Sequence, residues 1–174
     1  LGAVDGEDRQ MWFLLGVGAF MGFFLASYQV GSESLFIQTL GEKYLAESFF
    51  VTGALGLLSS VVYVYLQKKI RFSRLVIGNA AVITLFVSGL RLAFEFVEIG
   101  DKESEFSLLP FLLFVMMGPM TSLLLLGFWG LFGRIFDTRQ TKRLIGSVDT
   151  GQLVATIIAF FSIPLLIELP FVDD

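Results

Sequence analysis

The stretch that decides the fold is LLPFLLFVMMGPMTSLLLLGFWGLFGRIF, residues 108–136, in which Arg134 is the one charged side chain. An apolar run of this length predicts a transmembrane helix, because about 20 helical residues cross the ~30 Å hydrocarbon core of a bilayer. Backbone groups in lipid must hydrogen-bond internally, and the run is too long for a barrel strand. The stretch therefore predicts a membrane helix, with a kink where Pro119 interrupts it.

The rest of the chain shares this apolar composition. Of its 174 residues, 55% are hydrophobic and 16% are charged, whereas a soluble domain is about a quarter charged. The predicted spans cover about 11–39, 44–67, 74–97, 107–136 and 142–168. We therefore expect one domain over residues 1–174, an all-α polytopic transmembrane helix bundle.

The connections between the spans alternate in charge. The second connection, QKKIRFSR at 67–74, and the fourth, around 134–143, each contain four Lys or Arg residues, whereas the first and third are mainly acidic. Cytoplasmic connections of membrane proteins are enriched in Lys and Arg. The pattern predicts a multi-pass protein of a bacterial cytoplasmic (inner) membrane. Its N-terminus is predicted to be cytoplasmic and its C-terminus outside.

The composition also argues against several classes of function. The chain has no Cys and no His, which excludes disulfides, Cys/His metal sites and the usual general base near neutral pH. It contains no phosphate-binding loop, dinucleotide fingerprint or zinc motif. No basic patch alternates with aromatic residues, so nucleic acid is not expected as a partner. We expect no enzymatic activity, no cofactor and no metal.

Polar residues inside apolar spans are costly and are therefore candidate site residues. In the third span, Arg91 and Glu95 share one helical face. Two interpretations stay open for this pair. The side chains either pair with each other while Arg91 extends towards the headgroups, or they line a solute pathway.

Two further pairs have helical spacing. Asp149 and Gln152 lie three residues apart in the fifth span, where Asp149 either pairs with nearby basic residues or lines a cavity. Gln29 and Glu33 lie four residues apart in the first span. If that helix ends near residue 30, Glu33 is a solvated cap, and if it continues to residue 39, Glu33 faces a cavity. The apolar residues after Glu33 favour continuation.

A resemblance to a known family rests on two segments. The longer is FWGLFGRIFDTRQTKRLIGSVDTGQLVATIIAFFSIPLL, residues 128–166, with an aromatic-Trp-Gly helix end, then Asp137, a Gln-x-Lys-Arg motif and a helix start rich in small residues. The shorter is YLQKKIRFSRLVIGN, residues 65–79. Both resemble cytoplasmic connections of the ATP/ADP translocase-like nucleotide transporters, which have the major facilitator fold. The resemblance in topology extends over nearly the whole chain.

The resemblance implies a secondary transporter with about twelve helices, built from inverted three-helix repeats. The five spans then resemble an incomplete six-helix major facilitator half. The chain is expected to be the N-terminal half, or a fragment, of a protein that moves nucleotides or another small anionic solute by alternating access. Its expected partners are the lipid bilayer and a second helical half or a membrane subunit. The alternative is a non-transporting transmembrane subunit that docks on or anchors a larger membrane complex.

The resemblance also implies a role for the basic connection between the last two spans. In major-facilitator-like proteins, such connections latch helices together through Arg–carboxylate contacts. Two other interpretations stay open, namely attraction of phosphate groups and simple anchoring to anionic lipid. The latch candidates are Arg134, Asp137, Arg139, Gln140, Lys142 and Arg143.

Overall fold

A computed structural model describes residues 8–96 and 108–167 of the chain, and in these ranges it contains helices and no strand. The helices are α1 (Asp8–Leu40), α2 (Leu45–Lys69), α3 (Phe72–Phe96), α4 (Leu108–Val115), α5 (Met117–Ile135) and α6 (Thr138–Ile167). A short 3₁₀ turn, Glu42–Tyr44, joins α1 to α2. The predicted all-α fold is confirmed.

Five segments are long and apolar enough to cross a membrane, as predicted. They are Arg9–Leu40, Glu42–Lys69, Phe72–Phe96, Leu108–Ile135 and Thr138–Ile163. Many of their large apolar side chains face outwards: Phe50 is 79% exposed, and Phe20 and Phe161 are each 75% exposed. Apolar outer faces of this kind suit lipid rather than water. The chain therefore has the architecture of a multi-pass membrane protein.

The fourth span differs from the single helix predicted over 107–136. Helix α4 ends at Val115 and α5 begins at Met117. Pro119 has no N–H group, so the carbonyl of Val115 loses the donor that an unbroken helix would supply. Regular bonding resumes at once, because the Met120 N–H donates to the Met116 carbonyl at 3.1 Å. The span is therefore two helices separated at Met116.

Helix α1 is unbroken through Glu33, which confirms that the first span continues rather than ending near residue 30. It ends at Leu40, and the next residue, Gly41, has a backbone φ of 70°, in the left-handed region that glycine adopts without steric cost. The Gly41 N–H donates to the Ile37 carbonyl at 3.1 Å and so closes the last turn.

The two basic connections are shorter than predicted. Only residues 70 and 71 separate α2 from α3, and only residues 136 and 137 separate α5 from α6. The last span was expected to begin near residue 142, but α6 begins at Thr138. Most basic residues of both connections therefore lie on helix ends. At α6 the reason is a helix cap formed by the Gln140 side chain.

The described residues of Leu1–Val30 and Phe128–Asp174 form one compact unit, and Gly31–Gly127 forms a second. In the first unit, α1 packs closely on α6. A Cβ atom built on Gly22 would lie 2.6 Å from the Gln152 carbonyl oxygen, and one built on Gly18 would lie 3.1 Å from the Phe128 ring. Glycine at position 22 lets the backbones of α1 and α6 approach, and glycine at position 18 leaves room for the Phe128 ring of α5.

The second unit has two packing features. A hydrophobic cluster joins the end of α1 to α4, and its buried members are Phe36, Leu40, Phe114 and Val115. The rings of Phe36 and Phe114 are 4.6 Å apart between centroids. Separately, α2 packs on the start of α5, where a Cβ on Gly118 would overlap the backbone carbonyl of Thr52.

Candidate functional site

The predicted site residues are divided between the two units. The first unit holds Gln29, Asp149 and Gln152, together with all six latch candidates. The second unit holds Glu33, Arg91 and Glu95. Gln29 and Glu33, predicted to act one turn apart, therefore belong to different units. Both side chains are half-buried on the continuous helix α1.

Gln152 has the most unusual environment of the candidates. It lies on α6 where Gly22 of α1 packs against its backbone and Cγ atom. Its carbonyl accepts a hydrogen bond from the Thr156 hydroxyl at 3.0 Å. Its side-chain Oε1 atom is buried and has no hydrogen-bond partner among the residues that the structure describes. Leaving such an acceptor unpaired costs about 1–3 kcal/mol, so the position favours a ligand, a water or a partner group that donates a hydrogen bond.

Asp149 lies one turn before Gln152 on α6, and its side chain is exposed. It is about 9 Å further along the helix axis than Arg143, at ~1.5 Å per residue. If Arg143 lies at the headgroups, Asp149 lies inside the hydrocarbon. A carboxylate at that depth is costly unless water, a cation or another protein surface covers it. Asp149 and Gln152 together, hereafter the α6 polar pair, form the strongest candidate site.

Arg91 and Glu95 form an ion pair in the second unit. The Arg91 Nη2 atom lies 3.0 Å from the Glu95 Oε1 atom, and the two side chains are 70% and 51% exposed. The pair lies in the last turns of α3, which ends at Phe96. The two charged side chains pair with each other, and the predicted pathway role stays a prediction. Exposed pairs of this type contribute ~0–1 kcal/mol to stability.

Two of the latch candidates form the cap of helix α6. The backbone N–H of Asp137 donates to the Gln140 side-chain Oε1 atom at 2.8 Å. The Thr141 N–H donates to the Asp137 carbonyl at 2.7 Å. This is half of a capping box, in which the third residue of the helix reaches back to the residue that precedes it. The box explains why α6 begins before Arg139. The four basic latch candidates and Asp137 all have exposed side chains.

Removing this cap is expected to destabilise the start of α6. Gln140→Ala leaves the Asp137 N–H without its side-chain acceptor and should cost about 0.5–1 kcal/mol. Amide hydrogen exchange at Asp137, measured in detergent micelles, should accelerate about threefold to fivefold. Gln140→Glu keeps an acceptor at the same position and should exchange like the unsubstituted chain. Equal rates in Gln140→Ala would contradict the capping role.

Sequence reasoning missed two features. The amide nitrogen of Asn79, on α3 in the second unit, is buried and lacks a hydrogen-bond partner in the described part of the chain. The sequence feature that could have identified Asn79 is its position as a single amide side chain within the apolar run VIGNAAVITLF, residues 76–86. The other feature is a cavity of about 350 Å³ in the first unit, lined by Arg9, Gln10, Phe13 and Ile135. Residues so far apart along the chain gave no signal that they would meet.

Comparisons with protein-family models, with curated proteins and with solved structures found no match to this chain. The chemistry of the α6 polar pair therefore rests on its own two side chains. The pair presents a buried acceptor without a donor in the described part of the chain, one turn from an exposed carboxylate. Chemically, these two groups can bind a hydrogen-bond donor and a cation.

Proposed function

We propose that this chain is the N-terminal half, or a fragment, of a secondary transporter in which the α6 polar pair contributes to the solute and ion pathway. The observation that carries this proposal is the buried Gln152 Oε1 atom, which has no donor in the described part of the chain, one turn from exposed Asp149. Ionisable residues within membrane spans commonly mark substrate and ion pathways, and Asp149 is such a residue.

The two residues have different roles in this proposal. Gln152 accepts a hydrogen bond from a hydroxyl or amino group of the solute. Asp149 would repel an anion, so it binds a coupling cation instead. Negative groups of the solute are attracted by the exposed basic residues at the start of α6, Arg139, Lys142 and Arg143. Nucleotides carry amino, hydroxyl and phosphate groups together, and the resemblance of the two basic segments to nucleotide transporters favours them within this class.

Transport by alternating access requires a second helical bundle that moves against this one. The apolar faces of α2, α3 and α6 support such a partner. In each of these spans only 17% of the 18-residue apolar segment is buried. In the proposed topology the basic helix ends face the cytoplasm of a bacterial inner membrane, following the charge rule for membrane proteins.

The same uncovered faces favour a second candidate function. A transmembrane subunit that anchors a larger complex would also present broad apolar surfaces, of which Phe50, Leu57 and Val61 on α2 are examples. Such a subunit needs no polar pathway. The two candidates therefore differ in what they expect of the α6 polar pair.

Asp149→Asn is expected to reduce solute exchange by about tenfold or more, because a charge-assisted interaction worth ~1.5–3 kcal/mol is lost. The protein is purified from its membrane with its partner helices and reconstituted into liposomes loaded with ATP. Uptake of labelled ADP, orthophosphate and a neutral sugar is then measured. Gln152→Ala should raise the KM for the transported solute by about tenfold, because one hydrogen bond to the solute is lost.

Glu42→Gln is the matched control, since it removes a carboxylate from the 3₁₀ turn between α1 and α2. It should leave exchange unchanged. If Asp149→Asn and Gln152→Ala both behave like this control, the pathway assignment is wrong. If uptake into liposomes that contain the intact complex is no faster than uptake into ATP-loaded liposomes without protein, the anchoring subunit is favoured instead.

A further inference from the structure

The cavity at the start of α1 has a polar rim and an apolar wall. Its volume is about 350 Å³, and among the described residues it is lined by Arg9, Gln10, Phe13 and Ile135. Arg9 and Phe13 lie one turn apart on α1, so both can face the same space. Ile135 is the last residue of α5. The first turn of α1 therefore meets the end of α5 at this cavity.

Arg9 is the charged residue that lines the cavity among the described residues, and further charged residues lie close to its lining along the chain. Arg134 directly precedes Ile135, and Arg139, Lys142 and Arg143 follow on the first turns of α6 in the same unit. Between Arg134 and Arg143, Asp137 is the one acidic residue. The sequence also places Asp5, Glu7 and Asp8 just before Arg9. Binding of an anion therefore depends on the guanidinium of Arg9, which is in the cavity wall itself.

The position of the cavity along the spans indicates the class of ligand. Arg9 begins the first membrane-spanning segment, and Ile135 ends the fourth. Side chains at span ends lie at the level of the lipid headgroups. Phe13 is one turn deeper and 59% exposed, so an apolar surface continues from the charged rim into the hydrocarbon. Free phosphate would gain nothing from this wall, whereas a phospholipid contacts both parts.

We propose that this cavity binds one anionic phospholipid. Arg9 donates hydrogen bonds to the lipid phosphate, and the Gln10 amide donates to a headgroup or glycerol oxygen. Phe13 and Ile135 contact the first methylene groups of an acyl chain. This site is separate from the α6 polar pair and does not depend on the proposed transport activity.

Native mass spectrometry of the purified protein in detergent tests the proposal. The protein is titrated with phosphatidylglycerol and, separately, with phosphatidylcholine of the same acyl chains. We expect the first lipid adduct to form at lower concentration with phosphatidylglycerol. Arg9→Gln should weaken that binding about fivefold, the effect of removing one basic residue near a membrane surface. Phe13→Ala should weaken the binding of both lipids.

Arg71→Gln is the matched control, because it removes an exposed arginine from the connection between α2 and α3. If it weakens phosphatidylglycerol binding as much as Arg9→Gln does, general surface charge attracts the lipid and the proposed site is wrong. If inorganic phosphate displaces the lipid and Phe13→Ala has no effect, the cavity is a site for free phosphate instead. Circular dichroism of each variant checks that the fold is retained.

Discussion

Gly118→Ala is expected to lower the free energy of unfolding by about 3 kcal/mol, the upper part of the range for overpacking a close contact. The new Cβ atom would overlap the Thr52 carbonyl and lie 2.9 Å from the Thr52 carbonyl carbon. Both atoms belong to the backbone of α2, which cannot rotate away as a side chain can. Either α2 or the start of α5 must shift, and the shift would also disturb the contact between Gly56 and Gly118.

Gly127→Ala is the matched control, because it makes the same substitution on the same helix. Its Cβ atom would meet one Val76 methyl group at 4.0 Å, an ordinary contact. Any gain in helix propensity, ~1 kcal/mol, is common to both variants, so their difference reports the steric clash. Thermal unfolding in detergent should show Tm lower by about 6–12 °C for Gly118→Ala than for Gly127→Ala. Equal Tm values would show that α2 and α5 are not in close contact.

Gly22→Ala is expected to destabilise the first unit by about 2 kcal/mol, whereas Gly151→Ala should cost less than about 1 kcal/mol. Both substitutions add a methyl group to the contact between α1 and α6. The new Cβ at Gly22 would meet the Gln152 carbonyl oxygen at 2.6 Å, which is fixed backbone. The new Cβ at Gly151 would overlap the Cδ2 atom of Leu15, the end of a side chain that can adopt another rotamer.

Thermal unfolding in the same detergent measures both variants. Gly16→Ala serves as the control, because a Cβ at Gly16 has no neighbour within 4 Å. We expect Gly22→Ala to lower Tm by more than Gly151→Ala, and Gly16→Ala to have the smallest effect. The reverse order for positions 22 and 151 would show that the helices separate easily and that the close backbone contact does not stabilise the unit.

The five spans were predictable because the hydropathy of a span is an average over about 20 residues, so no single residue decides it. A run such as residues 108–136 identifies a membrane helix whatever its neighbours do. Boundaries depend instead on single hydrogen bonds. Helix α6 begins at Thr138 because the Gln140 side chain caps it, and the charges of Arg139, Lys142 and Arg143 suggested a longer connection. The Pro119 signal predicted a kink, and the structure has a separation into two helices at Met116.

The candidate site was predictable only in part. The spacing of Asp149 and Gln152 follows from helical periodicity, so their proximity on α6 needed no structure. That Gln152 packs under Gly22 could not be predicted, since it depends on how α1 and α6 cross. The cavity at Arg9 and Ile135 was hidden for the same reason, because tertiary contacts join residues that the chain keeps far apart.

The separation of α4 from α5 has a consequence for how the second unit opens. Different contacts hold the two helices in place: Phe114 and Val115 of α4 pack against Phe36 and Leu40, whereas α5 is held by the close approach of Gly118 to Thr52. Because Pro119 removes the backbone hydrogen bond to the Val115 carbonyl, unwinding of one helix does not have to propagate into the other. Fraying of α4 is therefore expected as a local event that leaves α5 packed on α2.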